Sequence, residues 1–395
     1  MCSILPVERR SGAHVVTAVE GIIVRAPVNE TAQEDDNPSN EVLLVIVRTD
    51  TGLIGLGECN HHPWAARAFL QHPGQFRTGR GVSGSLVGRN PLDHSSILEE
   101  IYVGNFFSAR RGIGWAVLAA IETALWDLSA QIEGLPLWKL LWGSNARRPL
   151  AYQTIYTGAA PWPETQRRLK DFCARVGALG YPAIKIEPLT DCVPEERIGE
   201  FAMAARNLIG PDVEMLIDFG YRMPDSKRAL DAIRACVSAR PMAIETPCHI
   251  DAFAAWRETA ARSPIPIAGA ELLDHPEDLQ QLIDAGVHIL QPWPVRVGIS
   301  GTREVIERAQ RAHRRVILGG WNATTIGLAA GIHLAAGIQG ADVVLEHAAR
   351  SIYGFPLRAI AGPEPQPTSG LFELPAAPGL GLTCDWDAID RLRVA

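Results

Sequence analysis

A repeat constrains this chain more than any other feature. From about residue 150 to 360, short apolar runs alternate with amphipathic segments of helical length. The runs fall at 151–156, 183–186, 214–217, 243–244, 267–268, 289–290, 316–318 and 343–345. The first seven are followed by segments at 164–179, 194–208, 226–238, 252–261, 276–285, 302–312 and 326–338. A strand covered by helices on one side and by a barrel interior on the other has no solvent face. It therefore reads as a short apolar run, not as an alternation. Eight such units, roughly 25 to 30 residues apart, predict an α/β fold of the (β/α)8 TIM-barrel type. An open doubly wound sheet would want a Gly-rich phosphate turn after its first strand, and TIYTGAAPW at 154–162 is not one.

The flanks read differently. Residues 1–145 open with strand-like runs at 15–24 and 41–49, the second leading through TDTGLIGLGEC into another short strand. Between them, 29–40 is polar and acidic and is expected to be a mobile loop. After a Gly-rich stretch at 74–88, two helices are predicted. The one at 113–132 is apolar over most of its circumference, which marks a buried helix, and the other spans 136–141. Residues 363–395 are rich in Pro and Gly and end in CDWDAIDRLRV, read as a helix.

Composition narrows the function. Net charge is -7, with no Lys/Arg block, so a nucleic-acid partner is not expected. The seven cysteines are scattered, with no CxxC, which suits a reducing cytoplasm better than a disulfide framework or a zinc cluster. Glu8, Arg9 and Arg10 interrupt the first apolar run, so no signal peptide is read. No apolar run is read as a bilayer span.

In a (β/α)8 barrel, reactive groups sit at the C-terminal ends of strands. The polar residues there are Lys185 and Glu187 (strand two), Asp218 (three), Glu245 (four), Glu271 (five), Gln291 (six) and Glu346 with His347 (eight). Strand seven ends in Gly319–Gly320. Three consecutive strands thus end in a carboxylate. Converging carboxylates repel unless something positive neutralises them, and a hard, oxygen-seeking divalent cation such as Mg²⁺ suits Asp218, Glu245 and Glu271. The alternative for each acid is a helix cap or an Arg partner. Lys185 is a candidate general base if its pKa is lowered. An ion pair with Glu187 or Glu271 would raise it instead. His61 and His62, in a 60–69 segment read as a loop, are candidates to reach over the barrel mouth. Trp293 and Trp321, after strands six and seven, are candidate pocket walls, because they stand in βα loops; Tyr221 and Arg222 after strand three are candidate substrate contacts, and Tyr221, His61 or His62 is a candidate alternative base.

Several motifs together resemble the enolase superfamily, in its mandelate racemase / muconate lactonizing enzyme branch. They are AAIETALWDLSAQIEGLPLWKLLWG, TGLIGLGEC, GLAAGIHLAAG, PGLGLTCDWDAI, and Lys185, Asp218, Glu245 and Glu271 in the family's order. The resemblance implies an N-terminal α+β capping domain at 1–145, a modified barrel at 146–362, and a tail at 363–395 that packs back on the cap. It implies one Mg²⁺ held by Asp218, Glu245 and Glu271, a small carboxylate substrate that loses its α-proton to give a metal-stabilised enediolate, and a homo-oligomer. The departures are specific. Glu187 stands where the family's second strand-two lysine is usual. Gly319–Gly320 stand where racemase-like members carry a His. Trp293 stands where they carry an Asp, and where muconate-lactonizing members carry a Lys. Gly220 stands where some dehydratases carry a His. Glu346 is kept and is expected to contact substrate. With no second base across from Lys185, the expected activity is an acid-sugar dehydratase. The alternatives are a racemase, epimerase or cycloisomerase of the same chemistry, and a homologue that binds metal or ligand without turnover.

Overall fold

The computed structural model describes residues 14–26, 41–76, 79–340, 342–354 and 356–395. Eight parallel strands form the barrel: Ala151–Ile155, Ala183–Ile186, Glu214–Asp218, Ala243–Glu245, Ile267–Gly269, Ile289–Leu290, Arg315–Val316 and Leu345–His347. Each pairs with its sequence neighbour, the eighth pairs with the first, and a bridge from Leu318 to Leu345 joins the seventh to the eighth. The strands are short and buried on both sides, as their apolar runs require.

The barrel interior is built in layers, and this places the site. Tyr152, Ala183, Leu216, Ala243, Ala268, Ile289 and Ile317 form one buried apolar cluster. Side chains two residues apart on a strand share a face. The next inward layer therefore holds Thr154, Lys185, Asp218, Glu245, Ala270, Gln291 and Gly319. The apolar layer seals the barrel below, so the polar layer opens toward the C-terminal end of the strands.

The cap is a three-stranded antiparallel sheet of Val16–Arg25, Glu41–Thr49 and Ile54–Cys59. The helix Ile113–Ile132 lies directly on it. Gly55 and Gly57 make that approach possible, because a Cβ on them would stand 2.2 and 2.0 Å from the carbonyl oxygens of Ala124 and Ala120. That helix is, by length and hydropathy, long enough to cross a bilayer, contrary to the reading that no run is. Its burial between sheet and barrel accounts for the composition. Asp127 on it accepts backbone N–H groups from Leu56 (3.1 Å) and from Leu380 in the tail (2.8 Å). The tail also pairs with the first strand, through Val394 N–H to Ile23 O and Ile23 N–H to Ala395 O, both 2.9 Å.

Three expectations need correction. The 60–69 segment is not all loop: Pro63–Gln71 is a helix that starts on a proline and buries Pro63, Ala66 and Leu70 on one face. His94–Gly104 is a further helix, which buries Ile97 and Ile101 one turn apart with Leu98 and Tyr102 half-buried beside them, a helical spacing that the sequence carries in HSSILEEIYVG. The last two barrel strands are displaced, to Arg315–Val316 and Leu345–His347, because apolar runs alone do not fix which residues pair. The 29–40 loop lies outside the described residues.

Candidate active site

The polar layer opens on a cavity of about 510 Å³. Lys185, Glu187, Asp218 and Glu346 form its floor, with Glu271 beside them. Tyr221, Arg222 and Leu272 line one side, and Trp293, Trp321, Tyr156 and Tyr353 the other parts of the wall. Glu245 is buried at the same level, bonded to Lys185. A second cavity of about 520 Å³ lies between the cap helix and the barrel helices Pro276–Asp284 and Ile299–Arg311, and none of the strand-end residues faces it.

Lys185 is the hub. Its buried ammonium stands 2.9 Å from Glu245, 3.1 Å from Glu346, 3.5 Å from Asp218 and 3.7 Å from Glu187. Burial on its own would lower the Lys185 pKa. Glu245, Glu346 and the other acids outweigh it and hold the ammonium well above its ordinary range. The sequence reading of an ion pair named Glu187 or Glu271; the ammonium does pair with Glu187, but stands closer to Glu245, Glu346 and Asp218. Burial raises the carboxyls of Glu187 and Glu245, against the pull of Lys185, and pushes Glu271 up to about 7. Glu346 goes the other way. Burial opposes its ionisation, but Lys185, the Thr154 hydroxyl and the Gly320 N–H (3.1 Å) hold its pKa below normal. Gln291 donates to the second Glu245 oxygen at 2.6 Å, and Asp218 accepts the Thr246 hydroxyl and the Gly220 N–H (2.7 Å).

The fit of a divalent cation can be judged from this donor set. Four carboxylates share one ammonium and Glu271 lies beside them, which leaves a surplus of acid groups in a buried place. Among the described residues, no three His, Cys, Asp or Glu groups already close on a common point, since the ammonium stands among them. The donors are all hard oxygens and the charge calls for a cation, so the residues fit Mg²⁺ in chemistry and charge.

The strand-six and strand-seven part of the wall is made by Trp293 and the Gly319–Gly320 turn. The Trp293 indole N–H donates to Asn322 Oδ1 at 2.9 Å, and the Arg296 guanidinium, paired with Asp274 at 3.1 Å, lies 5.6 Å from the ring centre. Gly320 cannot carry a side chain here: its Cβ would stand 1.9 Å from the Glu346 carbonyl oxygen. Neither candidate histidine lines the cavity. His61 packs against the Trp293 ring at 5.9 Å, and burial, then Arg296, lowers its pKa to about 3, so it stays neutral. His62 is exposed, at the start of the Pro63–Gln71 helix.

Some residues of this site were not singled out. Thr154 lies in the polar layer, and the alternation along its strand is a signal that finds it. Tyr353, whose hydroxyl donates to Thr154 O at 2.8 Å, ends the four-residue helix Arg350–Tyr353, and Asn322 stands between strand and helix, so neither has such a signal.

Two family models match the chain. One, the enolase C-terminal domain-like family, covers residues 168–388. The other, the mandelate racemase / muconate lactonizing enzyme N-terminal domain, covers residues 15–142. The chain belongs to the enolase superfamily, in the mandelate racemase / muconate lactonizing enzyme family. It is similar to D-gluconate dehydratase of Thermoproteus tenax, at 30% identity over 240 residues, 58% of this chain. It spans about half of that relative's length (47%). It is also similar to D-galactarolactone cycloisomerase of Agrobacterium fabrum, at 27% identity over 371 residues, 89% of this chain and 91% of the relative. Among solved structures, a mandelate racemase/muconate lactonizing protein from Paracoccus denitrificans PD1222, complexed with magnesium, superposes with a TM-score of 0.82 at 25% identity, covering 96% of this chain and 97% of that one.

Proposed function

We propose that the protein is a Mg²⁺-dependent dehydratase of small acid sugars, working from one face of the substrate. One observation carries this reading: a proton-bearing cluster of Lys185 and Glu187 lies on one side, and Trp293 with Gly319–Gly320 on the other. The dehydratase and cycloisomerase relatives and the magnesium-containing neighbour support it.

Asp218, Glu245 and Glu271 would hold the cation. When bound, it supplies positive charge that offsets the carboxylates and stabilises an enediolate on the substrate's carboxylate. With the field of the surrounding acids offset, the Lys185 ammonium gives a proton to solvent, and the neutral Nζ then takes the α-proton. Glu187, whose carboxyl burial raises well above its ordinary range, gives its proton to the departing β-hydroxyl, so that water leaves. The proton on Nζ then returns to Glu187 across 3.7 Å, and both groups are restored. Glu346 stays ionised and steadies Lys185 at 3.1 Å. Trp293 excludes water from the far face. The same reading takes the protein as a cytoplasmic homo-oligomer with a small-molecule substrate and neither a nucleic-acid nor a membrane partner.

The match to a cycloisomerase over 89% of the chain favours a second reading, isomerisation through the same enediolate. Product analysis separates the two. A 2-keto-3-deoxy acid supports the dehydratase. Solvent deuterium incorporated without loss of water supports the isomerase. Metal and ligand binding without turnover on any acid sugar would leave a binding homologue. Unchanged turnover in Lys185→Ala would remove Lys185 as the base.

A further inference from the structure

The charge of the cavity is polarised. Its floor holds five carboxylates and one ammonium, and its rim holds the exposed Arg222. Among the described residues, the Arg222 guanidinium makes no hydrogen bond and no ion pair. Arg296 near the same wall is committed to Asp274 and so is not available in the same way.

The backbone before Arg222 is costly and well held. Tyr221 adopts a left-handed conformation, φ 60°, which a bulky aromatic residue takes up at a cost of roughly 1–3 kcal/mol. Two hydrogen bonds hold the turn, from Tyr221 N–H to Thr246 O at 2.8 Å and from Arg222 N–H to Phe219 O at 3.1 Å. A bridge from Met223 to Cys248 closes it on the far side. The turn follows Asp218 directly, so the position of Arg222 is tied to the strand that carries that carboxylate.

A guanidinium is matched in shape and charge to a carboxylate or a phosphate, which it can bind through two parallel hydrogen bonds. A substrate with one carboxylate would spend it on the floor and leave Arg222 facing a neutral chain. We propose that the substrate carries a second anionic group at its far end, a carboxylate or a phosphate ester, and that Arg222 receives it. The proposal rests on the reading above, which assigns the first carboxylate to the floor.

The test uses the full chain with Mg²⁺ and three matched six-carbon acids: an aldonate, the corresponding aldarate, and the corresponding aldonate 6-phosphate. The expected result is a preference of about tenfold or more in kcat/KM for one of the two dianions over the aldonate, carried by KM. The better dianion identifies the far group as carboxylate or phosphate. Arg222→Gln should bring that preference to within about twofold, and Arg222→Lys should restore part of it. Equal kcat/KM on all three acids, or a loss in Arg222→Gln that is the same for all three, would overturn the proposal. If none of the acids is turned over, the dehydratase reading fails on its own. Calorimetric titration of the same three acids then decides the role of Arg222. A dianion preference in Kd that Arg222→Gln removes supports it, and no preference sinks it.

Discussion

Two sets of buried carboxylates stand in this molecule, and the fold treats them differently. At the junction of cap and barrel, Asp127 accepts the N–H groups of Leu56 and Leu380, Glu122 accepts that of Ser300 at 3.2 Å, and Glu58 accepts those of Thr324 (3.2 Å) and Gly327 (3.1 Å). Each joins segments far apart in sequence through neutral donors. At the barrel mouth, Glu187, Asp218, Glu245 and Glu346 converge on a single ammonium, with Glu271 next to them. The junction acids are held by neutral donors, although Glu58 Oε1 is buried without one. The mouth acids carry a charge that the chain alone does not balance. Buried acids of the first kind hold a fold together; those of the second kind wait for a ligand.

The largest test of this difference is Lys185→Ala. If Lys185 moves the α-proton, turnover with Mg²⁺ and an acid sugar should fall by about a thousandfold, read as product formed. A fall of less than tenfold would return Lys185 to the structural class. Next is Asp127→Ala, on the junction side. It strands two buried N–H groups, so urea unfolding at neutral pH should show a loss of about 3 kcal/mol, while kcat of the folded protein stays within about twofold. A change in kcat as large as that of Lys185→Ala would break the division between the two sets.

The division was only half legible beforehand. Lys185, Asp218 and Glu245 could be read because a strand's alternation is strict: each lies two residues beyond an apolar inward residue, Ala183, Leu216 or Ala243. The barrel and its cap were legible for the same reason of pattern. Glu58, Glu122 and Asp127 lie in motifs that carried the family resemblance, but nothing local says that their partners are Thr324, Ser300 and Leu380. Such pairings are set by tertiary packing. The pinning of Trp293 by Asn322 and the lack of room at Gly320 are also three-dimensional facts. The two histidines misled because exposure and reach cannot be read from a dipeptide.

A smaller effect separates the sets by pH. Burial raises Glu122 from 4.5 to about 7, so its folded pKa lies above its unfolded one. The stability it contributes is fully present below pH 4.5 and is lost as pH rises through 7. Glu122→Gln keeps an acceptor for the Ser300 N–H and removes the ionisation. Its stability relative to the native chain should therefore improve from pH 5 to pH 8, by about 2 kcal/mol. Parallel pH curves for the two proteins would contradict the assignment.

The smallest effect is expected at the mouth itself and has a sign that a structural acid cannot give. Glu271 is also raised to about 7, by burial first and then by Asp218 and Glu346 against the pull of Lys185. At pH 8 without metal its carboxylate is ionised beside like charges, so Glu271→Gln should stabilise the chelator-treated protein. The side chain is half-buried and partly screened, which limits the gain to about 1 kcal/mol. With Mg²⁺ the order should reverse, because a cation that binds only the folded state adds stability in proportion to its occupancy, and the variant has lost one of its ligands. Thermal unfolding of both proteins, with chelator and with millimolar Mg²⁺, reads all four values. A crossover places Glu271 among the acids that wait for a cation. A variant that is destabilised in both conditions would place it with Asp127 instead.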